Sequence, residues 1–130
     1  MKILIVNSVC GTGSTGKICA ELAEKYKKDG CEVRIAYGRY SYIPDKCQEY
    51  SLKIGTSFDV KLHAIKTRLT DKHGLGSKKA TRDFLKWAES YSPDLLLLHN
   101  IHGYYINYEM LFEWIKKHPE MEVKWTLHRL

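Results

Sequence analysis

Two stretches of this 130-residue chain carry residue types suited to ligand chemistry. The first is Asn7 to Lys17, Asn-Ser-Val-Cys-Gly-Thr-Gly-Ser-Thr-Gly-Lys, which follows the apolar run Ile3 to Val6 and leads into an amphipathic helix pattern. Strand, glycine-rich turn and helix start, in that order, make an anion site. Glycines let the backbone approach a ligand closely, and the unpaired N–H groups of a first helical turn point at it. Gly11, Gly13, Ser14 and Gly16 are the candidate phosphate-binding residues, and the hydroxyls of Ser14 and Thr15 are expected to cap the helix. A well-capped turn without a ligand is the plainer alternative.

The second stretch is Leu-His-Asn-Ile-His-Gly-Tyr-Tyr, Leu98 to Tyr105. His99, Asn100 and His102 lie just past a buried strand, where α/β sheets bind ligands. No carboxylate lies within the run to complete a metal set, so no metal is expected. Hydrogen bonding to a polyhydroxylated ligand suits Asn and His better. Tyr104 and Tyr105 offer faces for stacking on a sugar, with packing beneath the loop an equal alternative for one of them.

What is missing narrows the chemistry. Gly11 to Lys17 matches the G-x-x-x-x-G-K core of a P-loop, but Ile18 follows where Mg²⁺ needs Ser or Thr. The later strand ends in His99-Asn100, not in the Asp that would hold the metal's water shell. ATPase and kinase chemistry is disfavoured. Gly11, Gly13 and Gly16 also fit G-x-G-x-x-G, yet Tyr37-Gly38-Arg39 stands where a dinucleotide fold places its ribose-binding acid.

The elements that must hold these loops alternate. Ile3–Val6 reads as a strand covered on both faces. Ile18, Cys19, Leu22, Ala23 and Tyr26 recur at helical spacing, stopped by Asp29-Gly30. Val33, Ile35 and Tyr37 make a second strand, residues 39 to 50 a loop, and Ser51–Gly55 a short third strand. Phe58, Leu62, Ile65 and Leu69 form a helix stripe broken at Gly74–Ser77. Ala80, Phe84, Trp87, Ala88 and Tyr91 mark a further helix, ended by Ser92-Pro93. Leu95–Leu98 is a fully apolar strand, Asn107 caps a helix carrying Leu111, Trp114 and Ile115, and Val123, Trp125 and Leu127 alternate as a last strand. This predicts an α/β, Rossmann-like parallel sheet of order 3-2-1-4-5 with flanking helices. The first and fourth strands are then neighbours, and the two loops share one crevice.

Bulk properties set wider limits. The length fits one domain, and 44% hydrophobic with 28% charged residues is ordinary globular composition. A net charge of +6 favours anionic partners without choosing among them. Cys10, Cys19, Cys31 and Cys47 have no C-x-x-C spacing, and Cys19 reads as a buried thiol on a helix face. Four strongly apolar residues before Asn7 are too few for a signal peptide, so the cytoplasm is the default.

Beyond these readings, the opening Lys2 to Ile18 resembles the start of family 4 glycosyltransferases of the capsule, exopolysaccharide and colanic-acid type. Asp-Lys-His-Gly-Leu-Gly-Ser-Lys-Lys-Ala-Thr (Asp71–Thr81), Leu98–Asn107 and Trp-Thr-Leu-His (Trp125–His128) are similar to later motifs of that family, in order. The resemblance spans essentially the whole chain. It implies a GT-B enzyme of two Rossmann-like domains that moves a sugar from a nucleotide-sugar to a glycan or lipid-linked acceptor, with no cofactor and no nucleic acid. By that resemblance Gly11, Gly13, Ser14 and Gly16 approach the donor diphosphate, His128 contacts the donor sugar as the catalytic residue, and His99, Asn100, His102, Tyr104 and Tyr105 hold acceptor or sugar. A retaining outcome is implied by the family alone.

The family continues past this histidine with an Asp, where Arg129-Leu130 stand here. Residues 1–130 are therefore expected to be a partial, truncated N-terminal domain, inactive alone, with the C-terminal nucleotide-sugar-binding domain absent. A non-catalytic phosphate-binding α/β module or subunit is the alternative. The last strand is expected to leave an edge that drives self-association or is folded over by helices. The basic run Lys61, Lys66, Arg68, Lys72, Lys78, Lys79 and Arg82 reads as a solvated helix face or as a dock on the anionic inner membrane face.

Overall fold

Four consecutive aliphatic residues, Ile3 to Val6, have no exposed surface on either side of the strand they form. A strand of that kind has to lie inside a sheet with both faces covered. The computed structural model describes residues 1–7, 13–38, 50–54, 78–99 and 106–126. Their elements run β1 (Lys2–Asn7), α1 (Gly13–Lys28), β2 (Glu32–Tyr37), β3 (Ser51–Lys53), α2 (Lys78–Tyr91), β4 (Leu95–Leu98), α3 (Tyr108–Lys116) and β5 (Glu122–Trp125). The five strands form one sheet in the order β3-β2-β1-β4-β5, all parallel, as the alternation of elements predicts. The helix stripe from Phe58 to Leu69 and the Gly74–Ser77 break lie outside the described residues.

The two faces of the sheet carry separate cores. Ile3, Ile5, Val33, Ile35, Leu95 and Leu97 pack with Cys19, Ala20 and Ala23 of α1. Leu4, Val6, Ala36, Leu96 and Leu98 pack with Phe84 and Ala88 of α2 and Leu111 and Trp114 of α3. Each such aliphatic side chain contributes about 1.5–3 kcal/mol when fully buried. On α1 the buried residues are Gly16, Cys19, Ala20 and Ala23, while Ile18, expected on the apolar face, is 41% exposed. Small side chains bring this helix close to the sheet, and the spacing of Ile18 from them turns it outward.

Helix ends follow the residues present. After α1 the Cys31 N–H donates to Tyr26 O at 3.0 Å and the Gly30 N–H to Lys27 O at 3.1 Å, a Schellman stop. Its left-handed residue is Gly30, at φ 86°. After α2 the same left-handed position falls on Ser92, at φ 54°, with its N–H donated to Ala88 O at 2.9 Å. At α3 the Asn107 side chain accepts from the Met110 N–H at 3.1 Å, the expected N-cap. The helix α1 begins at Gly13, so Ser14 and Thr15, expected to cap it, lie inside its first turn.

Two polar clamps join α2 to α3. At one end the buried Asn107 N–H donates to the buried Thr81 Oγ1 at 2.8 Å. At the other, Glu89 Oε2 accepts from Trp114 Nε1 at 2.9 Å and faces His118 Nε2 at 2.7 Å. His118 Nδ1 lies 2.8 Å from Trp114 O. A carbonyl and a carboxylate can only accept, so both ring nitrogens are best satisfied as donors. The Trp114 carbonyl above all, then the Glu89 charge, raises His118 above its usual 6.5 against the opposing effect of burial. A third tie is Tyr91, whose single hydroxyl proton is shared between two backbone carbonyls, Ile3 O at 3.3 Å and Glu32 O at 3.2 Å. Burial, with Glu32 next, pushes that hydroxyl up to about 12, so it remains a donor.

Two predictions test the clamps. Thr81→Val leaves the buried Asn107 N–H without its acceptor and should lower stability by about 1–3 kcal/mol in urea unfolding, whereas Thr81→Ser should stay near the parent. For His118, a folded value above the unfolded one means its contribution is fully present below pH 6.5 and is lost as pH rises through the folded value. The urea midpoint of the parent should therefore fall over that rise, and His118→Gln should flatten the fall.

Candidate functional site

The sheet register brings one row of polar residues to the carboxyl ends of the strands. Lys53 lies beside Tyr37 and Tyr37 beside Asn7. Val6 pairs with Leu98, so Asn7 is followed across the sheet by His99, whose N–H donates to Val6 O at 3.0 Å. Along each strand these residues continue the alternation of Ile3/Ile5, Val33/Ile35 and Leu95/Leu97, so the row shares the face that α1 covers. Asn7 and His99 are both buried, at 0% and 6% exposure, where the strands change from wholly apolar to polar. Buried amide and imidazole groups are held by hydrogen bonds, and both residues are engaged in the fold.

Above this row starts α1. Its first N–H groups, from Gly13, Ser14 and Thr15, have no carbonyl within the helix to bond. No acidic residue lies in its first turn, while Lys25, Lys27 and Lys28 lie in its last. The basic end is matched to the helix dipole, and the first turn brings no acid of its own to the glycine end. α2 also opens without an acid, on exposed Lys78 and Lys79, whereas Glu109 and the Asn107 cap neutralise the start of α3. Each parallel strand is followed or preceded by an antiparallel helix, so all three helix N-termini lie on the carboxyl side of the sheet. Two of the three present positive charge there.

Of the sequence-predicted site residues, the structure places Gly13, Ser14 and Gly16 in the first turn of α1 and His99 at the end of β4. Those two groups leave from adjacent strands, as expected. Gly16 is buried. Gly11, Asn100, His102, Tyr104, Tyr105 and His128 lie outside the described residues, as does Cys10. Residue types alone do not single out Asn7, Tyr37 and Lys53 as site residues. Their signal is the register: each is the last residue of its strand, and only the pairing aligns them.

Elsewhere, a groove of about 660 Å³ separates α2 from α3, with Lys78 and Asn107 at one end and Lys117 at the other. Among the described residues no group of three or more His, Cys, Asp or Glu side chains is arranged to hold a metal ion. Among the same residues no helix is long and apolar enough to cross a membrane. Compared with protein-family models, with curated proteins and with solved structures, the chain matches none.

Proposed function

We propose that residues 1–130 are the front part of the N-terminal Rossmann-like domain of a GT-B glycosyltransferase, which moves a sugar from a nucleotide-sugar to a glycan or lipid-linked acceptor. The observation that carries this reading is the adjacency of β1 and β4. In this reading the glycine turn between β1 and α1 and the run that follows His99 open on one crevice, since β1 and β4 are neighbours and the His99 N–H donates to Val6 O. The departing nucleotide diphosphate builds negative charge, and a positive helix start stabilises that charge without proton transfer. In this reading Gly11, Gly13, Ser14 and Gly16 line the diphosphate, His128 meets the donor sugar, and His99 with Asn100, His102, Tyr104 and Tyr105 addresses acceptor hydroxyls. In this reading a second domain supplies the nucleotide pocket, and residues 1–130 carry the other half of the site. A cytoplasmic location, against an inner membrane face that presents the acceptor, fits exposed Lys78, Lys79 and Arg82.

The half-site should still bind a diphosphate weakly, because its donors come from contiguous backbone. Two or three N–H contacts to a charged group contribute on the order of 1.5–3 kcal/mol each, against an immobilisation cost of at least about 4 kcal/mol. Millimolar affinity follows. Titrating a nucleoside diphosphate into isotopically labelled protein should shift the amides of Gly13, Gly16, Lys17, Asn7 and His99. Gly13→Val should abolish the shifts by blocking approach, and Lys17→Ala should only weaken them. Shifts confined to Lys78, Lys79 and Arg82 would mean plain charge attraction and overturn the site. A nucleotide-sugar that perturbs His99 more than the bare diphosphate favours the transferase, while equal shifts favour a phosphate-binding module.

A further inference from the structure

β5 presents an unusual edge. All four of its residues are exposed, including Val123 at 36% and Trp125 at 49%, and among the described residues it pairs with β4 alone. One ring lies against it: Phe112 of α3, centred 5.6 Å from Trp125. The hydrogen bonds to β4 fix which backbone groups remain. Glu122 N–H donates to Asp94 O at 3.0 Å and Thr126 N–H to Leu98 O at 2.8 Å. In a parallel ladder the bonding residues alternate, so Glu122, Lys124 and Thr126 face β4 while Val123 and Trp125 aim their N–H and C=O groups outward. The opposite edge is blunter: β3 has three residues and ends on Lys53.

We propose that β5 pairs antiparallel with β5 of a second copy of this chain, about a two-fold axis at Val123, joining two sheets into one. Val123 is outward-facing, so at the axis it exchanges both its N–H···O=C bonds with Val123 of the second copy. In that register Glu122 stands directly opposite Lys124 of the second copy, and Lys124 opposite the second Glu122. Those two side chains share one face of the strand, are both exposed, and lie 3.9 Å apart within one chain. Slipping two residues one way sets Lys124 against Lys124; slipping the other way sets Glu122 against Glu122. Like charges directly opposite are unfavourable and unlike charges favourable, so the sequence Glu-Val-Lys-Trp is self-complementary in one register only. Val123 meets Val123 on the other face, flanked by Trp125 against the Met121 end of the second strand.

A contact of two four-residue strands buries less than a standard interface, so the dimer is weak, with a dissociation constant on the order of 10–100 µM. Because the interface is two-fold, association stops at two. Sedimentation of the 130-residue chain from about 10 µM to about 1 mM should show monomer passing to dimer. Lys124→Glu places four carboxylates in two opposed pairs and should weaken the dimer at least about ten-fold. The double exchange Glu122→Lys with Lys124→Glu restores opposition of unlike charges and should return the constant to within about three-fold of the parent. Val123→Pro removes the outward N–H without touching the bonds to β4, and should also give monomer. Circular dichroism on each variant establishes that it is folded. A parent that stays monomeric throughout, a dimer indifferent to both Lys124→Glu and Val123→Pro, or growth past two copies would each overturn the proposal.

Discussion

Everything in this chain depends on β1 being paired on both edges and covered on both faces. Its backbone is bonded to β2 on one side and β4 on the other, and Ile3 to Val6 leave no surface to water. Parallel neighbours cannot be joined by tight turns, so each must be reached by a crossover that carries a helix across a face. That single requirement lays α1 on one side and α2 with α3 on the other. It also brings Asn7, the last residue of β1, and His99, the first after β4, to the same end of the sheet. A cavity-forming change such as Leu4→Ala would strike this core at about 2–5 kcal/mol.

The polar residues sit where that constraint ends. Asn7 and His99 are buried one step beyond the last aliphatic pair, and Tyr37 and Lys53 continue their row. Such a row is specific in a way that an apolar layer is not, since each buried polar group needs its partner in place. Electrostatics runs in the same direction. The N-termini of α1 and α2 face the carboxyl side with no acid in their first turns, and α2 adds Lys78 and Lys79 to its own positive end. Lysines there oppose the dipole and reduce helix stability by a few tenths of a kcal/mol to about 1 kcal/mol each. The net charge of +6 adds to that positive potential.

The pair α2 and α3 shows how polar groups locate helices on an otherwise featureless apolar face. Leucine and aromatic side chains tolerate sliding, but the Thr81–Asn107 bond and the Glu89–Trp114–His118 cluster do not. Placed near opposite ends of the pair, they set both its register and its crossing. Tyr91 performs the same task between α2 and the sheet, through carbonyls of β1 and β2.

Much of this is legible in the residues. The uninterrupted aliphatic runs of β1 and β4, the Asp29-Gly30 and Ser92-Pro93 stops and the Asn107 cap act through local sterics and near-neighbour hydrogen bonds, so the chain alone determines them. Alternation of strands and helices then determines a parallel sheet, and the handedness of crossovers its order. Other features require the folded chain. Periodicity turns Ile18 inward because it reports hydrophobicity alone; packing of α1 on the sheet buries Cys19, Ala20 and Ala23 instead. Val123 and Trp125 alternate like a half-buried strand but lie exposed, because burial depends on what neighbours a strand, not on its own pattern. Asn7, Tyr37, Lys53 and His99 stand far apart along the chain, each an ordinary polar residue at the end of its own strand. Backbone hydrogen bonds between distant strands are what set them side by side, and no local pattern encodes that pairing.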